Sequence, residues 1–327
     1  MRPPRRIAAL GAGRMGRGIA HAFAYAGYPV TLVDLKPRPA DAAAALEREA
    51  RSEIEGNLAL LAELGAMPAA AIPASLARIA FATVEQAPAV LRETDVAFEG
   101  VPEVMAAKQE AFAFACQHLP ADALLASTTS TFLVDALRGF VAHDERFLNA
   151  HWLNPAYVVP LVELSPHDRT AGAVLDAFKA LLEAIGKVPV VCAAAPGFIV
   201  PRIQALAMNE AARMVEQGLA TPADIDKATR YGFGFRFAAL GLVEFIDFGG
   251  NDILYYASAY LARELNDPRY AAPAIVNRLM EEGRVGLKSG EGFYDYRGRD
   301  AVAYRKDLMA RMLAMLRQVG MARPPAG

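Results

Sequence analysis

Ile7-Ala8-Ala9-Leu10-Gly11-Ala12-Gly13-Arg14-Met15-Gly16 decides the fold. A short apolar run enters a turn with glycines at the GxGxxG spacing. Met15, Ile19, Phe23 and Ala26 then recur at helix spacing. Gly27 ends that helix, and Tyr28-Pro29-Val30-Thr31-Leu32-Val33-Asp34 reads as a second strand. In such a strand–turn–helix the first glycine permits the tight turn and the second lets a pyrophosphate approach the backbone. The third allows close helix–strand packing. The helix N-terminus meets the phosphates. Asp34 ends the second strand, where an acid accepts bonds from the ribose hydroxyls and repels a 2′-phosphate. Gly11, Gly13, Met15, Gly16 and Asp34 therefore predict a cofactor site for NAD over NADP. Lys36 and Arg38 argue mildly for a phosphate, but they follow Asp34. The alternatives are an FAD site or a glycine-rich turn with no ligand.

Working outward, residues 41–66 are rich in Ala, Leu, Glu and Arg and predict a long helix, which the prolines of 68–75 break. Further strands are expected at 96–99, 124–127, 147–150, 161–164 and 188–191, with helices at 103–118 and 174–185. Alternating strands and helices point to an α/β class, a Rossmann-type doubly wound parallel sheet. Beyond Pro196-Gly197 the character changes. Residues 198–217, 222–231, 238–247, 251–264, 273–282 and 305–319 all read as helices, with no convincing strand. The expected organisation is a dinucleotide-binding domain over 1–195 and an all-helical domain over 196–327.

Composition agrees. A chain of 327 residues with 54% hydrophobic and 21% charged residues is too apolar for disorder and long enough for two domains. A net charge of -2 gives no basic excess for a nucleic-acid partner. Cys116 and Cys192 are the only cysteines, too few for a disulfide scaffold or a thiolate metal cage, and they suit a reducing cytosol. The apolar run behind Arg5 and Arg6 is broken at once by glycine and arginine, too soon for a secretory leader. No stretch reads as a membrane span. A cytoplasmic protein with no membrane partner is expected.

Two constellations carry chemistry. His151 follows a strand in His-Trp-Leu-Asn-Pro, and Glu163 stands inside the next strand in Pro-Leu-Val-Glu-Leu. A carboxylate in an apolar strand must find a partner, and an imidazole is a natural one. Such a pair would fix the tautomer for acid–base work; the alternative is a structural histidine. Ser127-Thr128-Thr129-Ser130 follows another strand, where ligands bind in open α/β sheets, or else caps a helix. His21 falls on a helix, and His118, His143 and His167 fall near element ends, where solvated histidines lie.

Together these pieces resemble the L-3-hydroxyacyl-CoA dehydrogenase family from about residue 6 to Tyr296. The resemblance includes Gly-Ala-Gly-Arg-Met-Gly, Ser-Thr-Thr-Ser, His-x-x-Asn-Pro with Glu163 after it, Pro-Gly-Phe-Ile-Val, Asn-Glu-Ala at 209–211, Asp-Ile-Asp at 224–226 and Gly-Leu-Lys-Ser-Gly-Glu-Gly-Phe-Tyr at 286–294. It implies NAD as cofactor, no metal, a helical dimerisation domain and a homodimer. It also implies that His151 deprotonates the substrate hydroxyl, Glu163 orients it and Ser130 binds the reacting oxygen. Glu103 and Lys108 match positions near the cofactor. Two departures bear on the substrate. Pro201 stands where the family usually has an asparagine, so either Asn154 or Asn209 compensates or the substrate is held differently. Phe233-Gly234-Phe235-Arg236-Phe237-Ala238 replaces the usual Pro-Met-Gly-Pro, and looks more like the lambda-crystallin and gulonate dehydrogenase branch. Residues 60–75 also lack any Lys or Arg to meet CoA phosphates.

The expected activity is therefore oxidation of a short 3-hydroxyacyl-CoA such as 3-hydroxybutyryl-CoA. The alternatives are a dehydrogenase of a free 3-hydroxy acid, gulonate- or carnitine-like, and a non-catalytic crystallin-like NAD binder. Arg236, between two phenylalanines, either pairs with Glu244 or Asp247 or grips a substrate carboxylate.

Overall fold

The computed structural model describes residues 6–322. Met1–Arg5, part of the basic opening weighed above as a leader, lie outside the described residues. Eight strands form one sheet: β1 (Ile7–Leu10), β2 (Val30–Val33), β3 (Ile79–Ala82), β4 (Val96–Glu99), β5 (Leu124–Ser127), β6 (Phe147–Trp152), β7 (Leu161–Pro166) and β8 (Val188–Val191). Their order is β3-β2-β1-β4-β5-β6-β7-β8. Every pairing is parallel except β6 with β7, which runs antiparallel. β1, β4 and β5 are buried at all four positions, the mark of strands covered on both faces.

The cover is helical: α1 (Arg14–Tyr25), α2 (Ala40–Glu63), α3 (Ile72–Leu76), α4 (Ala87–Leu91), α5 (Met105–His118), α6 (Val134–Leu137) and α7 (Gly172–Ala184). α2 buries Ala43, Ala50, Ile54 and Leu58, one stripe of a long helix that stands otherwise in solvent. Successive residues of β1 alternate between two apolar clusters. Ile7 and Ala9 join Phe23, Phe98 and Trp152 on one face, while Ala8 and Leu10 join Phe112 and Phe147 on the other.

The sequence pattern predicts seven strands, and β3 is the one it misses. Ile79-Ala80-Phe81-Ala82 is an edge strand with Ala80 exposed and two alanines in four residues, so neither an apolar run nor β-propensity marks it. His167 also departs from expectation. It is buried, with Nε2 on the Asp144 carbonyl at 2.8 Å.

Helices follow: α8 (Val200–Glu216), α9 (Pro222–Ala228), α10 (Phe235–Ala239), α11 (Leu242–Gly249), α12 (Asn251–Glu264), α13 (Ala274–Glu281) and α14 (Ala301–Gln318). The first compact unit ends at Ala207 and the second begins at Met208, inside α8. The change in sequence character at 195 lies earlier, because the start of α8 is bonded to β7 through Glu163. The helix expected at 238–247 is broken at Leu240, whose backbone is extended. Among the described residues the second unit has bridges but no strand, and no helix is long and apolar enough to cross a membrane.

One buried acid organises the Gly-Leu-Lys-Ser-Gly-Glu-Gly-Phe-Tyr run. Asp247 is fully buried and accepts the N–H groups of Phe293 (3.0 Å) and Tyr294 (2.8 Å). A Cβ on Gly286 would stand 2.2 Å from the Asp247 carbonyl oxygen, and one on Gly292 2.1 Å from its Oδ1. Both glycines are there because this loop closes directly on the Asp247 backbone and carboxylate.

His21, buried on α1, carries a stability consequence. Its ring stacks on Tyr157 with centroids 4.2 Å apart, and neither ring nitrogen has a hydrogen-bond partner among the described residues. Burial, with the Lys187 ammonium nearby, pushes its pKa down to about 4. An unfolded histidine titrates near 6.5, so below that pH the unfolded chain takes up the proton first. Stability is complete above about 6.5 and falls as the pH drops toward 4, by roughly 2–3 kcal/mol at about 1.4 kcal/mol per unit. His21→Phe should lose less stability than wild type between pH 7 and 4.5 by about that amount, read as urea midpoints. Equal losses would show that His21 is not the titrating group.

Candidate active site

β1 and β4 are sheet neighbours from which the chain departs in opposite directions, and the crevice at such a reversal is where α/β sheets bind ligands. A cleft of about 1060 Å³ opens there, at the carboxyl ends of the strands. Gly11, Gly13, Met15, Asp34, Glu103, Ser130, His151 and Asn154, all singled out from sequence, line it. The glycines do separable jobs. Gly11, with φ +104°, brings the turn so close that an added Cβ would lie 2.9 Å from the Gly100 carbonyl oxygen. At Gly16 a Cβ would meet the Gly11 oxygen at 1.9 Å, so this position is packing and does not line the cleft. At Gly13 nothing stands within 4 Å, which leaves the backbone open to a ligand. A glycine cradle at a helix N-terminus beside an acid at the end of β2 fits a dinucleotide.

Asp34 is buried, and its Oδ2 accepts from Arg38 Nε at 2.5 Å while Oδ1 accepts from the Lys36 N–H at 3.3 Å. Arg38 is thus already paired, which weakens the phosphate argument that the sequence left open.

A buried charge network reaches the cleft through Glu103. Lys108 on α5 is 1% exposed and donates to both oxygens of Glu99, at 3.0 and 3.1 Å, and lies 3.3 Å from Glu103 Oε2. Lys108 does not itself line the cleft; its ammonium is held by the two carboxylates, one of which, Glu103, does. Burial pushes the Glu103 carboxyl up, but the Thr129 hydroxyl and the Lys108 charge outweigh this and hold it below the usual range. Glu99, at the end of β4, also accepts from Ser127 Oγ at 2.6 Å. Through Glu99 and Glu103 the ends of β4 and β5 are bonded together, and the Thr131 N–H on Glu103 (3.1 Å) fixes the turn that holds exposed Ser130.

His151 and Glu163 face each other in the β6–β7 register. Glu163 has no exposed surface, and its Oε2 lies 2.7 Å from His151 Nδ1. A carboxylate only accepts, so Nδ1 carries the proton and Nε2 keeps a free lone pair. Glu163 Oε1 accepts the N–H groups of Ile199 and Val200, each at 2.8 Å. The His151 ring stacks on Phe198, with centroids 4.8 Å apart. Pro201 sits in the first turn of α8, where a missing N–H costs no helical bond.

Asn209 and Arg236 belong to the second unit, and both are exposed. Neither acid proposed for Arg236 takes it. Glu244 accepts from the Tyr304 hydroxyl and Asp247 from backbone, while Arg236 Nε donates to the Gly232 carbonyl at 3.0 Å and its guanidinium lies 5.0 Å from the Phe245 ring centre.

Three residues of the site region were not foreseen. Glu99 carries a signal like that of Glu163, an acid in an otherwise apolar strand. Arg17 is a buried arginine whose Nε donates to the Ala12 carbonyl of the glycine turn at 2.9 Å, while its guanidinium meets Glu49 (2.9 Å) and Glu53 (2.5 Å) on α2. Phe198 gave no sign in sequence of its contact with His151.

Comparison with known proteins agrees with this geometry. The family model for the 3-hydroxyacyl-CoA dehydrogenase NAD binding domain matches residues 6–195, and that for the C-terminal domain matches 197–296. The chain is 29% identical over 315 residues to the 5-formyl-3-hydroxy-2-methylpyridine 4-carboxylate 5-dehydrogenase of Mesorhizobium japonicum, covering 96% of this chain and 97% of that one. It is 31% identical to a 3-hydroxybutyryl-CoA dehydrogenase of Bradyrhizobium diazoefficiens, over 92% of this chain and 98% of the relative. The crystal structure of a 3-hydroxyacyl-CoA dehydrogenase from Archaeoglobus fulgidus superposes with a TM-score of 0.75 at 29% identity, covering 97% of this chain and all (100%) of that one. The chain belongs to the 3-hydroxyacyl-CoA dehydrogenase family, NAD-dependent oxidoreductases that act on a CH–OH group.

Proposed function

We propose that this protein oxidises the hydroxyl of a short L-3-hydroxyacyl group to the ketone, with 3-hydroxybutyryl-CoA as the first substrate to test and NAD preferred over NADP. When bound, the nicotinamide accepts the hydride. The chain supplies the rest. His151 Nε2 takes the hydroxyl proton, and Glu163 holds the Nδ1–H tautomer and balances the charge that forms on the ring. Ser130 bonds the reacting oxygen, with Asn154, which lines the same cleft, in a supporting contact. The observation that carries this reading is the 2.7 Å bond from His151 to a wholly buried carboxylate at the edge of the cleft. General acid–base groups supply about 10²- to 10⁴-fold. With acetoacetyl-CoA and NADH, His151→Ala should lose turnover by that factor and bind NADH as wild type does. Turnover within threefold of wild type would remove His151 from the mechanism.

A second reading has support of its own: a free hydroxy acid. Arg236 has no carboxylate partner among the described residues, residues 60–75 carry no basic side chain, and the Mesorhizobium relative is named for a carboxylate substrate. In this reading the Arg236 fork binds the acid directly. Arg236→Met should then weaken use of free 3-keto acids by about tenfold to a hundredfold, the range of a charge-assisted bond, and spare acetoacetyl-CoA. Equal losses on both would assign Arg236 to structure and favour the thioester.

We also infer a cytoplasmic homodimer. Exposed Leu206, Met208, Val215, Tyr256 and Tyr260 are large apolar side chains on helices that water alone would cover. Light scattering at micromolar concentration should give twice the chain mass; a monomer would refute the dimer.

A further inference from the structure

We propose that Phe198 is a positioning residue for His151: its ring is a plate that fixes the plane of the imidazole, and its strained backbone is what brings the plate there. The proposal rests on the reading of His151 as the base.

Phe198 has φ +46°, in the left-handed region, directly after Gly197 at φ +82°. A glycine takes that conformation freely, whereas a bulky side chain is strained in it. Such strain persists only where the surroundings over-determine it. Ordinary packing does not explain it. Phe198 is 8% exposed, yet it belongs to none of the three apolar clusters among the described residues. Its ring lies on His151 at 4.8 Å between centroids and 20° between planes. It does not line the cleft, so it is placed to act through His151 and not on substrate.

The strained turn does two things at once. It turns the next two N–H groups, of Ile199 and Val200, onto Glu163 Oε1, which leaves Oε2 for His151. It also lays the phenyl face against the imidazole. The Glu163 bond alone holds one edge of the ring and lets the plane rock about that edge. The stack removes this freedom. Once the base has taken a proton, an imidazolium against an aromatic face is an attractive arrangement. Small misplacements of a reacting group are expensive, so a fixed plane is worth turnover.

The test uses the full-length protein with Phe198→Leu, Phe198→Tyr and, in parallel, His151→Ala. With acetoacetyl-CoA and NADH, Phe198→Leu should lower kcat about tenfold and leave the KM for NADH within twofold. Phe198→Tyr, which keeps the plate, should recover kcat to within threefold of wild type. Proton NMR gives an activity-independent reading. The His151 Cε1–H signal, assigned by its loss in His151→Ala, should be displaced upfield by the phenyl ring current, remain so in Phe198→Tyr and return downfield in Phe198→Leu. An unchanged kcat in Phe198→Leu, or a His151 signal indifferent to the substitution, overturns the proposal even when His151→Ala is inactive. Activity retained in His151→Ala overturns the base assignment and this inference together.

Discussion

The geometry of the site depends on one buried carboxylate. Glu163 sits mid-strand with no exposed surface. An ionised acid there is tolerable only if every direction of its charge is answered. Oε2 is answered by His151 across an antiparallel strand pair and Oε1 by two N–H groups at the start of α8. The same bonds therefore fix the imidazole tautomer, bind β7 to the first turn of α8 and hold the strained turn at Phe198. The antiparallel β6–β7 pair is what makes this work, because it sets His151 and Glu163 directly opposite each other on one face.

Around that pair, the cleft is a product of backbone proximity and of charges that satisfy one another. Gly11 and Gly16 let the glycine turn, α1 and the end of β4 approach closer than a side chain permits, and the cleft is the space left in front of them. Lys108 is spent on Glu99 and Glu103, Arg38 on Asp34, and Arg17 on Glu49 and Glu53. Each cation is thereby a fixed support for the cleft wall and not a mobile charge within it. Removing either partner of the Lys108–Glu99 pair, buried on both sides, would strand the other charge in a low-dielectric setting.

Much of this was legible because it is local. The glycine turn, the acid closing β2 and the strands buried on both faces are written in consecutive residues, and the pairing of His151 with Glu163 follows from the need to satisfy a mid-strand acid. What was not legible depends on distance in the chain. β3 is an edge strand whose short, alanine-rich sequence carries no pattern until β2 pairs with it. The burial of Lys108 depends on Glu99, nine residues earlier at the end of β4, which pairs with its ammonium. Glu99 could have been found by the reasoning applied to Glu163. Phe198 could not, since nothing in Pro-Gly-Phe announces a left-handed phenylalanine.

The division of labour along the chain explains why the chemistry is easier to read than the substrate. The groups proposed for the chemistry, Ser130, His151 and Glu163, stand on or just after sheet strands, and pairing register sets His151 opposite Glu163. The residues in which this chain departs from the family pattern, Pro201 and Arg236, stand in helical segments beyond the sheet. A helix can exchange such side chains without disturbing a strand register: Pro201 occupies a first-turn position that needs no N–H, and Arg236 is held only by a carbonyl one turn back and by the face of Phe245. Relatives of similar overall architecture accordingly bear names that refer to a CoA thioester in one case and a pyridine carboxylate in another. A shared architecture therefore does not by itself name the substrate.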